Sequence, residues 1–200
     1  MSLLILASAS AVRASLLRQA GLDFHVRDSR VDEDAVKKAF ADSTDDGDTD
    51  ALALRLAEEK ALAVSRAEPG ALVIGADQIM SCETRRFDKP RDMVEARANL
   101  LFLRGRTHTL HSAVVLALDG EVVWGHSARA DLAMRNFSDG FLDWYLKTLG
   151  EKVKTSVGCY QLEGPGIQLF ERIGGDYFTI LGLPLLPLLA ELRDRGAALS

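Results

Sequence analysis

The chain has 200 residues, 48% hydrophobic and 26% charged, the balance of an ordinary globular protein and not of a disordered, collagen-like or coiled-coil one. A net charge of −5, from 24 Lys and Arg against 29 Asp and Glu, is wrong for a non-specific binder of nucleic-acid backbone, so a phosphate-bearing ligand must be held by a few placed cations. No segment approaches the roughly 18 apolar residues of a membrane span, and Leu3–Ala7 is too short for a signal-peptide core and has no basic residue before it.

In chain order, Leu3–Leu6 reads as a short buried strand. After Ser8-Ala9-Ser10, Ala11–Ala20 reads as a helix closed by Gly21, a residue type that often follows a helix end. Phe24–Val26 reads as a second strand, and the polar stretch holding Asp42, Asp45, Asp46, Asp48 and Asp50 as an exposed loop. Alanine, leucine, glutamate and lysine dominate from Asp50 to Arg66, predicting a long helix stopped by Glu68-Pro69-Gly70. Ala71–Ala76 is the clearest buried strand. Asp92 followed by Glu95 resembles a capping box opening a helix that ends at Gly105. Thr107–Leu118 and Glu121–Met134 flank Asp119-Gly120, a strong hairpin signal. A helix follows over Ser138–Leu149, then strands around Cys159–Leu162 and Ile167–Ile173, and a last helix from near Pro184. The pattern predicts an α/β fold with a mixed sheet, antiparallel at the hairpin and otherwise joined through helices.

A chain of this length buries about 70% of the surface it exposes unfolded and needs no staple, and residues 1–200 are expected to form a single domain. Cys82 and Cys159 show no paired framework and read as reduced thiols of a cytoplasmic protein. His25, His108, His111 and His126 form no ligand set, so zinc is not expected; no nucleic-acid or membrane partner is expected either.

Three features carry chemistry. The first is a strand, then Ser8-x-Ser10, then a helix, whose unpaired N–H groups and partial positive charge favour phosphate. Arg13 shares a helical face with Leu16, Leu17 and Ala20, so it points to the interior or a cleft. The plainer reading is that Ser10 caps the helix and Arg13 snorkels to solvent. The second feature repeats the anomaly: Lys60 lies on the stripe of Ala53, Leu56, Ala57 and Val64, where an unpaired lysine is costly, so it is expected to reach an anion at a pocket rim. The third is Asp77 after Leu72–Ala76, at the carboxyl end of a strand, where α/β sheets bind ligands; it can take a proton or a metal, or merely cap a turn.

Together with Leu6–Leu17 (LASASAVRASLL), Val31-Asp32-Glu33, Leu56–Ala61 (LAEEKA), Gly75-Ala76-Asp77 and Lys89-Pro90, these residues resemble the Maf-like nucleoside triphosphate pyrophosphatases. Gly105, His108, Tyr160, Glu163-Gly164, Gly175-Asp176-Tyr177 and Gly182-Leu183-Pro184 extend the resemblance along nearly the whole chain. It implies a mixed, bent sheet with flanking helices, two lobes around a central cleft, and a homodimer. It implies hydrolysis of a nucleoside triphosphate to the monophosphate and pyrophosphate, aided by Mg²⁺ or Mn²⁺. Asp77 matches the proton acceptor, Ser8, Ser10, Arg13, Lys60 and Lys89 match phosphate contacts, and Glu33 with Asp77 matches the metal side. No G-x-x-x-x-G-K-[ST] or G-x-G-x-x-G motif is present, against γ-phosphoryl transfer and dinucleotide chemistry.

The departures bear on the base. The family loop commonly reads S-x-S-P-R-R-x-E, where this chain has Ala11, Val12 and Ser15; GADT is replaced through Gln78, and I-Q-G by Leu162-Glu163-Gly164. In the family the first Arg, the Thr and that Gln accompany preference for dTTP and UTP, whereas Gln78 with Glu163 resembles the 7-methyl-GTP branch. A carboxylate can accept from guanine N1–H and its exocyclic amine together. Val12, in contrast, offers no stacking face where that branch tends to carry an aromatic residue, and a family lysine falls near Ser156. The other readings are a dTTP/UTP pyrophosphatase and a weakly active nucleotide-binding regulator of division.

Overall fold

The computed structural model describes residues 3–43 and 47–198. Among the described residues seven strands form a mixed sheet: β1 (Leu4–Ala7), β2 (His25–Arg27), β3 (Leu72–Cys82), β4 (Arg85–Phe87), β5 (Thr107–Leu118), β6 (Glu121–Met134) and β7 (Phe170–Gly174). Their order is β2-β1-β3-β5-β6-β7, with β4 paired to β3. β1 runs parallel to β2 and β3, while β4 on β3 and β7 on β6 are antiparallel. Helices α1 (Ala11–Gln19), α2 (Glu33–Ala41), α3 (Thr49–Ser65), α4 (Met93–Leu103), α5 (Asp139–Leu149), α6 (Tyr177–Ile180) and α7 (Leu185–Asp194) complete the α/β architecture expected from the sequence. No described helix is long and apolar enough to cross a membrane.

The chain divides into two compact units, Met1–Gln78 with His111–Arg129 and Asp176–Ser200, and Ile79–Leu110 with Ala130–Gly175. In the first, strands covered on both faces read as continuous apolar runs. Leu4, Leu6, Leu72, Ile74 and Ala76 pack with Leu16 and Leu17 of α1 and with Leu183, Leu185, Leu188 and Leu192. Ile5, Ala7 and Val73 turn to the other face, against Val64 of α3. Gly75 lets α3 lie close: a Cβ there would stand 2.7 Å from the Ala61 backbone nitrogen and closer still to the Ala57 carbonyl oxygen.

In the second unit, Phe87 and Phe102 meet beneath the Arg85 guanidinium. His108 is buried among Tyr160 and Phe170, its Nε2 2.7 Å from the Tyr160 hydroxyl. Both cysteines are buried free thiols.

Several elements differ from the sequence reading. The expected strand Cys159–Leu162 is a turn. Ser156 Oγ donates to the Tyr160 carbonyl and accepts its N–H, Cys159 takes φ 58°, and a Cβ on Gly158 would enter the Tyr160 ring. The expected strand Ile167–Ile173 begins as a 3₁₀ turn, Pro165–Leu169, and only then becomes β7. α2 was not expected; Asp32 caps it, accepting from the Ala35 N–H, and it buries no residue. β3 runs on to Cys82 and turns back as β4, so Asp77 lies within the strand and not, as expected, just past its carboxyl end. Asp42 and Asp48 are exposed at helix ends, but Asp50 lies inside α3; Asp45 and Asp46 lie outside the described residues.

Candidate active site

The amino end of α1 is built as the Ser-x-Ser spacing suggests. Ser10 Oγ caps it, accepting the Arg13 N–H at 3.4 Å, and the buried Ser8 Oγ accepts the Ser10 N–H at 3.2 Å. Arg13 does not snorkel. Its Nε donates to the Gly182 carbonyl at 2.8 Å, and its Nη1 to the Ala76 carbonyl at 2.9 Å and to Ser8 Oγ at 3.3 Å. One guanidinium thus joins the end of β1, the middle of β3 and the turn after α6. Burial works against its charge, and Asp77 and Glu33 work to keep it.

Lys60 departs from its expected place. It is not at a rim but buried, 7% exposed, and the anions it meets are the protein's own. Nζ stands 2.5 Å from Asp77 Oδ1 and 2.6 Å from Glu33 Oε1. α3 brings Lys60 to β3 because Gly75 allows the approach, and α2 brings Glu33 from its first turn. Burial raises the Asp77 carboxyl above the usual range, against the pull of Lys60 and Arg13. Glu33 is half-exposed; burial pushes it up, but the Lys60 hydrogen bond and the charges of Lys60, Lys37 and Arg13 outweigh this and hold it low. The two carboxylates are therefore unlike: one inclined to take a proton, one held ionised.

Two carboxylates converging on one small cation suit a divalent ion that shares its shell with phosphate and water, as Mg²⁺ usually does. They do not make a closed protein site: no group of three or more His, Cys, Asp or Glu suited to a metal occurs among the described residues.

The specificity candidates fall in different places. Val12 is exposed on the first turn of α1. Gln78 follows Asp77 on β3 and its Nε2 donates to Ser112 Oγ and to the carbonyls of Thr179 and Ile180. Lys89 and Glu163 are exposed residues of the second unit, after β4 and in the 161–164 turn. Sequence reasoning missed Ser112, the contact that Gly182 makes with Arg13, and the set in which Asp50 accepts from His111 Nδ1 at 2.7 Å and pairs with Arg129. The signal for Asp50 was its position two residues after a capping Asp48, at the amino end of a helix.

With this geometry in view, the family model described as Maf-like protein matches residues 3–195, through both units. The chain belongs to the Maf-like protein family. This Maf-like protein is 56% identical over 196 residues to the 7-methyl-GTP pyrophosphatase of Rhizobium meliloti (strain 1021), an overlap of 98% of this chain and 97% of the relative. It is 55% identical over 192 residues to the nucleoside triphosphate pyrophosphatase of Paramagnetospirillum magneticum (strain ATCC 700264 / AMB-1), covering 96% and 98%. A 7-methyl-GTP pyrophosphatase of Mesorhizobium japonicum (strain LMG 29417 / CECT 9101 / MAFF 303099) is 52% identical over 194 residues, covering 97% and 96%.

Proposed function

We propose that this Maf-like protein hydrolyses a nucleoside triphosphate to the monophosphate and pyrophosphate, with a 7-methyl-GTP-like nucleotide as its substrate class. The observation that carries the reading is Asp77, a buried carboxylate of raised pKa midway along β3, set beside Lys60 and within the field of Arg13. Sequence identity above one half with proteins named for this chemistry supports it. The role is clearance of modified nucleotides before incorporation, in the cytoplasm and as a homodimer, as the family resemblance implies.

Asp77 accepts a proton from water as the water oxygen attacks the α-phosphorus. The bond from that phosphorus to the bridging oxygen breaks, and its electron pair leaves with pyrophosphate. The amino end of α1, with Ser8, Ser10 and Arg13, faces charge on the triphosphate. Lys60 joins them by exchanging a carboxylate for a phosphate oxygen, and Lys89 is the further cation assigned to phosphate. Glu33 and Asp77 would hold a divalent cation, Mg²⁺ or Mn²⁺, which when bound neutralises phosphate charge and acidifies water. Glu163 is assigned to the guanine edge.

A hydrolysis screen over GTP, 7-methyl-GTP, dTTP and UTP, with pyrophosphate detected directly, tests the reading. Asp77→Asn is expected to bind nucleotide yet lose about 10²–10⁴ in kcat, the share of a general base. Orthophosphate as the first product, or full turnover by Asp77→Asn, overturns it.

A further inference from the structure

Asp77 and Gln78 are consecutive in β3, so their side chains leave opposite faces of the strand. Asp77 meets α3 through Lys60, whereas Gln78 meets the segment 176–183. Its Nε2 lies 3.1 Å from the Thr179 carbonyl, 3.1 Å from the Ile180 carbonyl and 2.9 Å from Ser112 Oγ. Carbonyls only accept, so the amide must turn its nitrogen toward them. Ser112 Oγ also donates to the Thr179 carbonyl, at 2.8 Å. Two residues on, the Gly182 carbonyl accepts from Arg13 Nε, and Gly182 lies beside both the Arg13 guanidinium and the Gln78 side chain, each of which a Cβ there would touch at ordinary contact distance. The carbonyls that close α6 are therefore held by side chains from β3, β5 and α1.

From this we infer that Gln78 is a positioning residue. By fixing Thr179 and Ile180 it sets the Gly182 carbonyl, which orients the guanidinium of Arg13 beside Asp77; its influence on the substrate passes through that segment and not through contact with the base. The inference deepens the proposed pyrophosphatase reading and rests on it for the role of Arg13.

Gln78→Leu keeps the volume of the side chain and removes both donor hydrogens. Deuterium exchange at the amides of Gly182 and Leu183, which bond to Thr179 and Phe178 carbonyls, is expected to quicken, while exchange within Leu72–Ala76 stays as in the unaltered protein. Turnover is expected to fall about tenfold on each triphosphate the protein hydrolyses, with KM within about twofold, the mark of an interaction realised in the transition state. Gln78→Thr, with one hydroxyl on a shorter stem, and Ser112→Ala give smaller shifts of the same kind and serve if Gln78→Leu fails to fold. A loss confined to guanine nucleotides, or unchanged exchange at Gly182 and Leu183, overturns the inference. If no triphosphate is hydrolysed, the functional reading fails, and the exchange data still decide whether Gln78 holds the segment.

Discussion

The ammonium of Lys60 and the carboxylate of Asp77 meet at 2.5 Å with both side chains only 9% exposed. Without a ligand, the base candidate is already neutralised by a cation from its own chain. The same ammonium touches Glu33, so it stands where the two carboxylates would otherwise share a metal ion. Lys60→Met removes that competitor. Breaking a buried pair from one side costs about 3–5 kcal/mol, so the variant is expected to melt well below the unaltered protein. Added Mn²⁺ is expected to restore much of the loss, and to bind the free variant more tightly than the free wild type. Thermal melts with and without Mn²⁺ read both effects; a variant indifferent to Mn²⁺ removes Glu33 and Asp77 from the metal site.

Gly75 controls the same contact from two residues away. A methyl group there would collide with the backbone of α3 at Ala57 and Ala61, not with a side chain that could swing aside. Gly75→Ala is expected to cost about 1–3 kcal/mol or more as an overpacked core position. It is also expected to lift Lys60 from Asp77, so activity should fall further than the lost stability explains at temperatures where the variant stays folded. Urea unfolding beside turnover measurements separates the two.

Base selection is expected to rest on Glu163. Glu163→Gln leaves an amide N–H₂ facing guanine donors, which should lower kcat/KM for GTP-like substrates by roughly five- to a hundredfold, and for UTP and dTTP much less. Equal losses on both classes assign Glu163 to the architecture of its turn.

His108 gives the fold a pH dependence of known sign. Burial lowers its pKa from 6.5 to about 4, with Asp131 pulling weakly the other way. Between those values the unfolded chain holds a proton that the folded one refuses, so stability is complete above about pH 6.5 and falls as pH drops toward 4. The loss at the bottom of that window is about 3 kcal/mol. Urea midpoints from pH 7 to pH 4.5 should fall less steeply in His108→Phe than in the unaltered chain, whatever the variant's stability at pH 7; parallel slopes would place the titration elsewhere.

Much of the fold was legible because most elements announce themselves locally. Ser10, Asp92 and Ser138 cap helices where the sequence suggests, and the apolar strands β1 and β3 are buried runs. α2 was overlooked although Asp32 caps it, Glu33 and Asp34 open its first turn, and Val36, Ala39 and Phe40 recur at helical spacing; its stripe is two turns long and none of it is buried. Cys159–Leu162 read as a strand because its content, Cys159, Tyr160 and Leu162, is strand-like. What bends it is a side-chain bond from Ser156 to Tyr160 and the close packing of Gly158 on Tyr160 and of Gly166 on Gln161, contacts within the segment that its apolar content conceals. In the site, Arg13 and Lys60 were visible as charges on apolar faces. The partners of Lys60 were not, since Glu33, Lys60 and Asp77 lie on three elements whose meeting depends on Gly75 and on α2, which the sequence reading did not place.

The bond from Arg13 to the Gly182 carbonyl spans 169 positions of the chain, and the core around β1 and β3 is completed by Leu183, Leu185, Leu188 and Leu192. During synthesis the first strands therefore emerge long before the residues that cover them. At about 5–20 residues per second the wait is on the order of ten seconds, with the apolar faces of β1, β3 and α1 lacking their cover from α7. That face cannot be finished early, so its exposure to aggregation or chaperone capture is governed by the arrival of α7.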